Sequence, residues 1–368
     1  MTSSDLYPVS RLAAVQDATA AAGLDALLLT PGPDLRYVSG YEALPLERLT
    51  CLVVPASGEP YLMVPRLELP AAQASPAARL PLEFVAWDET DDPYAIAARR
   101  LGPAKKVGLA DRMWAMASLR FRDALPGAEQ VLAGTVLREL RMRKSAAEVA
   151  ALRAAGEAID AVHRQVPSFL KAGRTEREVG RDIHDAILQA GHATVDFVIV
   201  ASGPNGASPH AEVSDRVIQP GEPVVVDIGG QMHSGYCSDS TRNYCVGEPP
   251  ADYARYFEVL QRAQAAACDA VRPGVSCEAI DAVAREVITE AGYGEYFIHR
   301  TGHGIGIETH EEPYIVSGNT EALEPGFAFS VEPGIYPGQH GARIEDIVVC
   351  AQDGGERLNT TPRELVIV

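Results

Sequence analysis

Residues 224–241 read Val-Val-Val-Asp227-Ile-Gly-Gly-Gln-Met-His-Ser-Gly235-Tyr-Cys-Ser-Asp239-Ser-Thr241. Three β-branched residues lead into Asp227, and glycines at 229, 230 and 235 predict a chain reversal before Asp239, so the stretch reads as a β-hairpin. Side chains directly opposite in an antiparallel pair share a face, which places Asp227 and Asp239 opposite each other and aims both at one point. Residues 327–349 repeat the design. Residues 327–331, apolar but for Ser330, run into Glu332, a Pro- and Gly-rich turn follows, and residues 344–349 return carrying Glu345. Between the hairpins lies Thr301-Gly302-His303-Gly304-Ile305-Gly306. If the fold brings Asp227, Asp239, His303, Glu332 and Glu345 together, four carboxylates share one pocket and repel severely unless cations share it too. Two divalent ions cancel that charge.

The two hairpins belong to a longer internal repeat. Shifted by 101 positions, Gly173, Thr175, Val179, Ile187, Ala190 and Gly191 fall on Gly274, Ser276, Ile280, Ile288, Ala291 and Gly292. Each set describes a glycine turn, an N-cap and a helix closed by glycine. With a small insertion, Pro220, Gly221, Val226, Asp227 and Gly229 fall on Pro325, Gly326, Val331, Glu332 and Gly334. Residues from about 145 onward therefore read as two related α+β halves, with the metal site built from equivalent hairpins at their junction, the kind of cleft where binding sites concentrate. Four oxygen donors and one imidazole without a thiolate suit Mn²⁺, Co²⁺, Zn²⁺ or Fe²⁺ and argue against Cu(I) or an iron–sulfur cluster. A pair of such ions activates water and polarises a carbonyl, which is hydrolase chemistry.

In this ligand set and order the chain resembles the pita-bread (M24) metallopeptidases, specifically the prolidase and aminopeptidase P branch, over essentially its whole length. The resemblance implies Asp227, Asp239, His303, Glu332 and Glu345 as metal ligands, with Asp239 and Glu345 shared by both ions and Glu332 also taking a proton from water. It implies two divalent ions, Mn²⁺ ahead of Co²⁺ or Zn²⁺. His310 matches the family's donor to the scissile carbonyl. His210, at the end of the 202–210 loop, matches a histidine lining the pocket beyond the scissile bond. Tyr336 and Arg343 match the pair that moves protons and fixes the shared acids. One departure from the family pattern is an Asp227 to Asp239 spacing one residue longer than usual. A bland alternative stands beside His310, because Glu308, Glu311 and Glu312 flank it and a paired surface histidine would look the same. His163, His184 and His192, on helices or their ends, read as structural.

The rest of the chain sets bounds. Its 368 residues suffice for two domains, and 46% hydrophobic content makes it globular. A formal net charge of −18 disfavours nucleic acid and anionic membrane surfaces as partners. No apolar run approaches the roughly 20 residues that span a bilayer, and residues 1–10 lack the basic start and apolar core of a signal peptide, so the expected location is cytoplasmic. Six cysteines without a CxxC pair are expected to be buried free thiols. Cys237, two residues before Asp239, is expected to point the same way and crowd the metal.

Short apolar runs at 24–30, 49–54, 61–64 and 105–109 alternate with helical patterns at 10–22 and 93–101, which predicts a separate, smaller α/β domain of the creatinase/prolidase N-terminal type. The expected divisions are an N-terminal domain at 1–135, a linker at 136–144 and a catalytic pita-bread domain at 145–368. The basic run at 132–144 reads as a solvated helix face opening onto a capping box at Ser145 and Glu148. Methionine aminopeptidases usually lack an N-terminal domain of this size, and creatinase and noncatalytic relatives such as histone chaperones lose ligands that this chain keeps. The resemblance implies a dinuclear metal-dependent exopeptidase that cleaves between an N-terminal residue and a following proline, as an Xaa-Pro dipeptidase (prolidase). The alternatives are aminopeptidase P acting on longer Xaa-Pro peptides, a noncatalytic binding protein on the same fold, and a hydrolase of a nonpeptide amide. Short peptides are the implied partners, and the implied assembly is a homodimer.

Overall fold

The computed structural model describes residues 3–368, so Met1 and Thr2, the start of the expected N-terminal domain, lie outside the described residues. The chain divides into two compact units, Met1–Arg141 and Met142–Val368.

The first unit carries a six-stranded mixed sheet made of β1 (Ala26–Leu29), β2 (Cys51–Pro55), β3 (Tyr61–Pro65), β4 (Glu83–Trp87), β5 (Lys106–Leu109) and β6 (Glu129–Leu132), in the order β4-β3-β2-β1-β5-β6. The central strands β1 to β3 are buried at every position, which is why they read as continuous apolar runs. The two edge strands are less buried. Only Trp87 of β4 is buried, and Leu132 at the end of β6 is 56% exposed. The helix Gly134–Met142 occupies most of the expected linker.

In the second unit, β7 (His192–Ser202), β8 (Pro223–Met232) and β9 (Cys237–Cys245) form one antiparallel meander. β10 (Gly302–Gly304), β11 (Glu311–Ile315), β12 (Ala328–Val331), β15 (Asp346–Ala351) and β16 (Gly354–Arg357) form a second sheet in the order β11-β10-β12-β15-β16. The short pair β13 (Gly334–Ile335) and β14 (Ala342–Arg343) closes the second hairpin, and β17 (Val366–Ile367) pairs with β9. The capping box at Ser145 and Glu148 starts the helix Ala146–His163.

The repeat appears in matched backbone contacts. Thr175 caps the helix Glu176–Gln189 and Ser276 caps Cys277–Glu290. The Gly173 amide donates to Ile218 at 3.0 Å, and the Gly274 amide to Leu323 at 2.9 Å. Gly221 and Gly326 turn the chain at φ of 80° and 95°, a region open to glycine, just before the strand that carries or leads into an acid.

The segment bearing Glu345 and the strand bearing Asp239 are tied by a buried ionic network. The Arg242 guanidinium, 1% exposed, donates to the Glu345 carbonyl at 2.6 Å and to the fully buried Asp346 carboxylate at 2.8 Å, which also accepts from Gln264 at 2.9 Å. Asp346→Ala would strand Arg242 in the core and is expected to cost about 3–5 kcal/mol. Urea unfolding checks it, and a loss under about 1 kcal/mol would refute the network's role.

Candidate metal centre

The β8–β9 ladder corrects the expected register. Asp227 faces Thr241 and Asp239 faces Gly229, so the two acids are diagonal neighbours rather than directly opposed. Period two still puts Asp227, Gly229, Asp239 and Thr241 on one face. Gly229 and Gly230 lie within β8 rather than in the turn, because a Cβ at either would strike backbone carbonyls of Ser238 or Thr194. The ladder runs from Pro223 to Gln231 without a register shift, and residues 232–236 form its tip.

The second hairpin does oppose its acids. Val331 pairs with Asp346 and Gly334 with Arg343, and this common register sets Glu332 opposite Glu345. The analogy between hairpins is therefore not residue for residue: the position equivalent to Glu345 in the first hairpin is Thr241. Its hydroxyl donates to Glu345 Oε2 at 2.8 Å.

His303 enters from β10, between two glycines that the packing demands. A Cβ at Gly302 would fall on the Ser330 carbonyl oxygen, and one at Gly304 on the Glu312 carbonyl oxygen. The imidazole Nδ1 meets the Gly304 carbonyl at 3.2 Å, which holds the proton there and leaves Nε2 to face the acids, 3.1 Å from Glu332 and 3.6 Å from Asp239. Ser330 Oγ accepts from the His303 amide at 3.0 Å and donates to Glu332 Oε1 at 3.0 Å.

All five expected ligands meet. Three triads, Asp227/Asp239/Glu345, His303/Glu332/Glu345 and Asp239/His303/His310, each have ligand atoms within 4.8 Å of one another. The electrostatics show the strain of that gathering. Burial pushes Asp239 and Glu345 well above the ordinary carboxylate range, and the neighbouring acids push them further. Burial would raise Glu332 as well, but the hydrogen bond and charge of His303, with His299 and Arg343, bring it down to about 2. Asp227 Oδ2 accepts from Arg343 at 2.6 Å, whereas its Oδ1 is buried without any partner. A buried, unpartnered carboxylate oxygen beside two carboxylates pushed upward by burial and by each other's charge is a donor set that fits divalent cations.

Arg343 organises the back of the site. Its other nitrogens donate to Thr241 Oγ1 at 3.2 Å and to the Tyr336 hydroxyl at 2.8 Å. Tyr336 in turn lies 3.0 Å from His299 Nε2, and His299 Nδ1 lies 2.7 Å from the Arg300 carbonyl. The chain has one consistent polarity: Arg343 donates to Tyr336, Tyr336 donates to His299, and His299 donates to the backbone. His299 was not legible as a site residue, since no periodic element frames it and only its place four residues before His303 hints at a role.

A cavity of about 1230 Å³ opens over the cluster, with His210, His299, Arg300 and His310 among its lining. The exposed His310 packs its ring edge-on against His303 at 4.0 Å between centroids. Glu311, one of its acidic neighbours, instead pairs with Lys144 at 2.6 Å. Burial and the charge of His303 pull His310 down to about 4, so it is neutral at pH 7. His210 sits at the exposed end of a loop anchored by the buried Glu176, whose Oε1 accepts from the Ser202 amide and hydroxyl, both at 2.8 Å, and from Asn205 at 3.1 Å. Cys237 does not line the cavity; its thiol turns to the Ile307 carbonyl at 3.5 Å, and all six cysteines are buried and free. Of the histidines read as structural, His163 bonds Tyr244 and the Ser240 carbonyl, both at 3.0 Å, His192 bonds Ser238 at 2.8 Å, and His184 lies 3.4 Å from Asp185. Among the described residues no helix is long and apolar enough to cross a membrane.

The sequence profile of metallopeptidase family M24 matches residues 150–352, and that of the Creatinase/Prolidase N-terminal domain matches residues 11–143. The chain is 54% identical over 360 residues to the probable dipeptidase PepE of Mycobacterium tuberculosis, covering 97% of this chain and 96% of that one. It is 36% identical over 365 residues to the Xaa-Pro dipeptidase of Lactobacillus delbrueckii subsp. lactis, covering 94% and 95%. The crystal structure of recombinant prolidase from Thermococcus sibiricus superposes with a TM-score of 0.90 at 37% identity, over 97% of this chain and 98% of that one. Four gathered carboxylates and a histidine, on a fold shared with these proteins along nearly its whole length, place this chain in metallopeptidase family M24, as a hydrolase with a Creatinase/Prolidase N-terminal domain.

Proposed function

We propose that this protein is an Xaa-Pro dipeptidase whose two divalent ions are held by Asp227, Asp239, His303, Glu332 and Glu345. The convergence of three ligand triads on the floor of one cavity carries the reading, and relatives named as dipeptidases and Xaa-Pro dipeptidase support it. When bound, the ions would supply Lewis-acid polarisation of the scissile carbonyl and acidify a water molecule.

The chain's own groups do the rest. Glu332, ionised, accepts the proton of the attacking water as the new C–O bond forms. His310, neutral at pH 7, donates a hydrogen bond to the carbonyl oxygen as it gains charge. The C–N bond then breaks, and the proton passes from Glu332 to the departing prolyl nitrogen. Arg343 holds Asp227 and, through Thr241, Glu345; the Tyr336–His299 pair fixes the Arg343 fork. An Xaa-Pro bond is a tertiary amide without an N–H and with a fixed φ, so a site that recognises it dispenses with the amide-proton contact other peptidases use. His210 lines the pocket for the leaving residue. The same reading carries Mn²⁺ as the native metal, a cytoplasmic homodimer as the working form, and a domain boundary within residues 132–144.

Metal-stripped protein given Ala-Pro, Ala-Pro-Ala and Met-Ala-Ser, with and without Mn²⁺, Co²⁺ or Zn²⁺, tests the proposal. Metal-dependent cleavage of Ala-Pro alone is expected; preference for Ala-Pro-Ala would make the protein an aminopeptidase P, and metal binding without cleavage would refute both. His310→Ala is expected to lower kcat by about 10²–10³ with metal content unchanged. A purely structural His310 would instead lower thermal stability and leave kcat of the folded fraction intact.

A further inference from the structure

We propose that Lys144 is a positioning residue for turnover: its buried ion pair with Glu311 holds the 305–310 loop in the shape that presents His310 to the cavity. The inference rests on the Xaa-Pro dipeptidase reading, in which His310 polarises the scissile carbonyl. Lys144 closes the basic run 132–144, yet it belongs to no solvated face. Its side chain is 1% exposed, and its ammonium meets Glu311 Oε1 at 2.6 Å, on a carboxylate only 6% exposed.

The loop is built around that carboxylate. β10 ends at Gly304 and β11 begins at Glu311, and these two residues face each other in the ladder, so residues 305–310 close a hairpin whose last residue is His310. Successive side chains entering a strand point to opposite faces. His310 turns to the cavity and to His303, while Glu311 turns back under the loop. There its Oε2 accepts from the Glu308 amide at 3.4 Å, and a Cβ at Gly306 would stand 2.5 Å from Oε1, so glycine is what lets the chain close over the group. The loop backbone is also held from outside: the Gly306 carbonyl accepts from the Cys237 amide at 2.8 Å, and the Ile307 carbonyl from the Gln231 side chain at 3.2 Å.

Without the ammonium, the Glu311 carboxylate would draw water into the loop or swing out of it, and His310, one residue away, would move with it. Lys144 acts from a fixed base, since its own amide donates to the Gly326 carbonyl at 2.9 Å, beside the start of β12. A buried ion pair adds little net stability over an apolar pair of like volume; what this one supplies is a defined geometry. Misplacing a reacting group by about 1 Å can cost about 10² in rate.

On Mn²⁺-loaded protein, Lys144→Met is expected to lower kcat for Ala-Pro by about 10- to 100-fold, with KM and metal content close to wild type. In a His310→Ala background the same substitution should cost less than about twofold, because the residue it acts through is gone. A second readout needs no turnover. Hydrogen exchange followed by mass spectrometry is expected to run at least about tenfold faster across residues 305–311 of Lys144→Met than of wild type, with the helix Glu176–Gln189 unchanged. Glu311→Gln, which keeps the shape, should act alike and carries the test if Lys144→Met does not fold. Wild-type kcat with wild-type loop exchange in the folded variant would overturn the proposal. Equal losses with and without His310 would overturn it too, since the pair would then serve stability in general. If metal-loaded wild type leaves Ala-Pro intact, the dipeptidase reading falls and loop exchange alone judges the clamp: faster exchange supports it, unchanged exchange overturns it.

Discussion

Asp239→Ala is expected to abolish turnover of Ala-Pro and to strip the protein of its metal. Asp239 lies within reach of Asp227 and Glu345 on one side and of His303 on the other, so on the proposed reading one substitution removes a ligand that both ions share. Loss of an outer-shell partner alone weakens metal binding by about 10- to 100-fold, and loss of a shared ligand should exceed that. Metal content after dialysis against Mn²⁺, measured by elemental analysis, is the check, with Ala-Pro hydrolysis alongside. The fold should survive. In metal-free protein the Asp239 carboxyl is pushed up first by burial and then by Asp227, so removing it relieves the cluster rather than breaking a favourable pair. Metal-stripped Asp239→Ala is therefore expected to melt no lower than metal-stripped wild type, whereas Mn²⁺ should raise the melting temperature of wild type only. Full metal occupancy with turnover in the variant would overturn the site.

Glu332→Gln is expected to lower kcat by about 10²–10⁴ at saturating metal while KM for Ala-Pro changes far less. The substitution keeps shape and the hydrogen bond from Ser330, 3.0 Å away, but removes the ionised oxygen proposed to accept the proton of water. A drop of less than about tenfold at full metal occupancy would assign proton transfer to another group. Glu332 differs from its neighbours in this respect. Asp239 and Glu345 are driven upward by burial and mutual repulsion, while the His303 contact at 3.1 Å keeps Glu332 ionised. Carboxylates in one pocket whose environments push them apart are suited to different tasks.

Much of this protein was legible without coordinates because its signals are local. Glycine before an N-cap at Gly173 and Thr175, and again at Gly274 and Ser276, is set by backbone sterics and capping within a few residues. The buried strands β1 to β3 and β8 announce themselves as apolar runs, since every side chain there must leave water. The acids that follow such runs, with His303 between two glycines, mark the site through composition and order alone. The edge strands β4 and β6 escaped because most of their side chains are only partly buried, so neither full burial nor one-sided alternation marks them.

What only the tertiary structure decided is register and partnership. A hairpin's pairing depends on where its turn closes, so nothing local distinguishes Asp239 opposite Asp227 from Asp239 opposite Gly229. The role of Thr241 as the donor to Glu345 follows from that register and joins residues 104 positions apart. His299 and Glu176 gain their places in the same way: each acts through a group distant in sequence, and only the folded chain sets those distances. Local chemistry chose which residues could make a metal site, and long-range packing chose which atoms face one another within it.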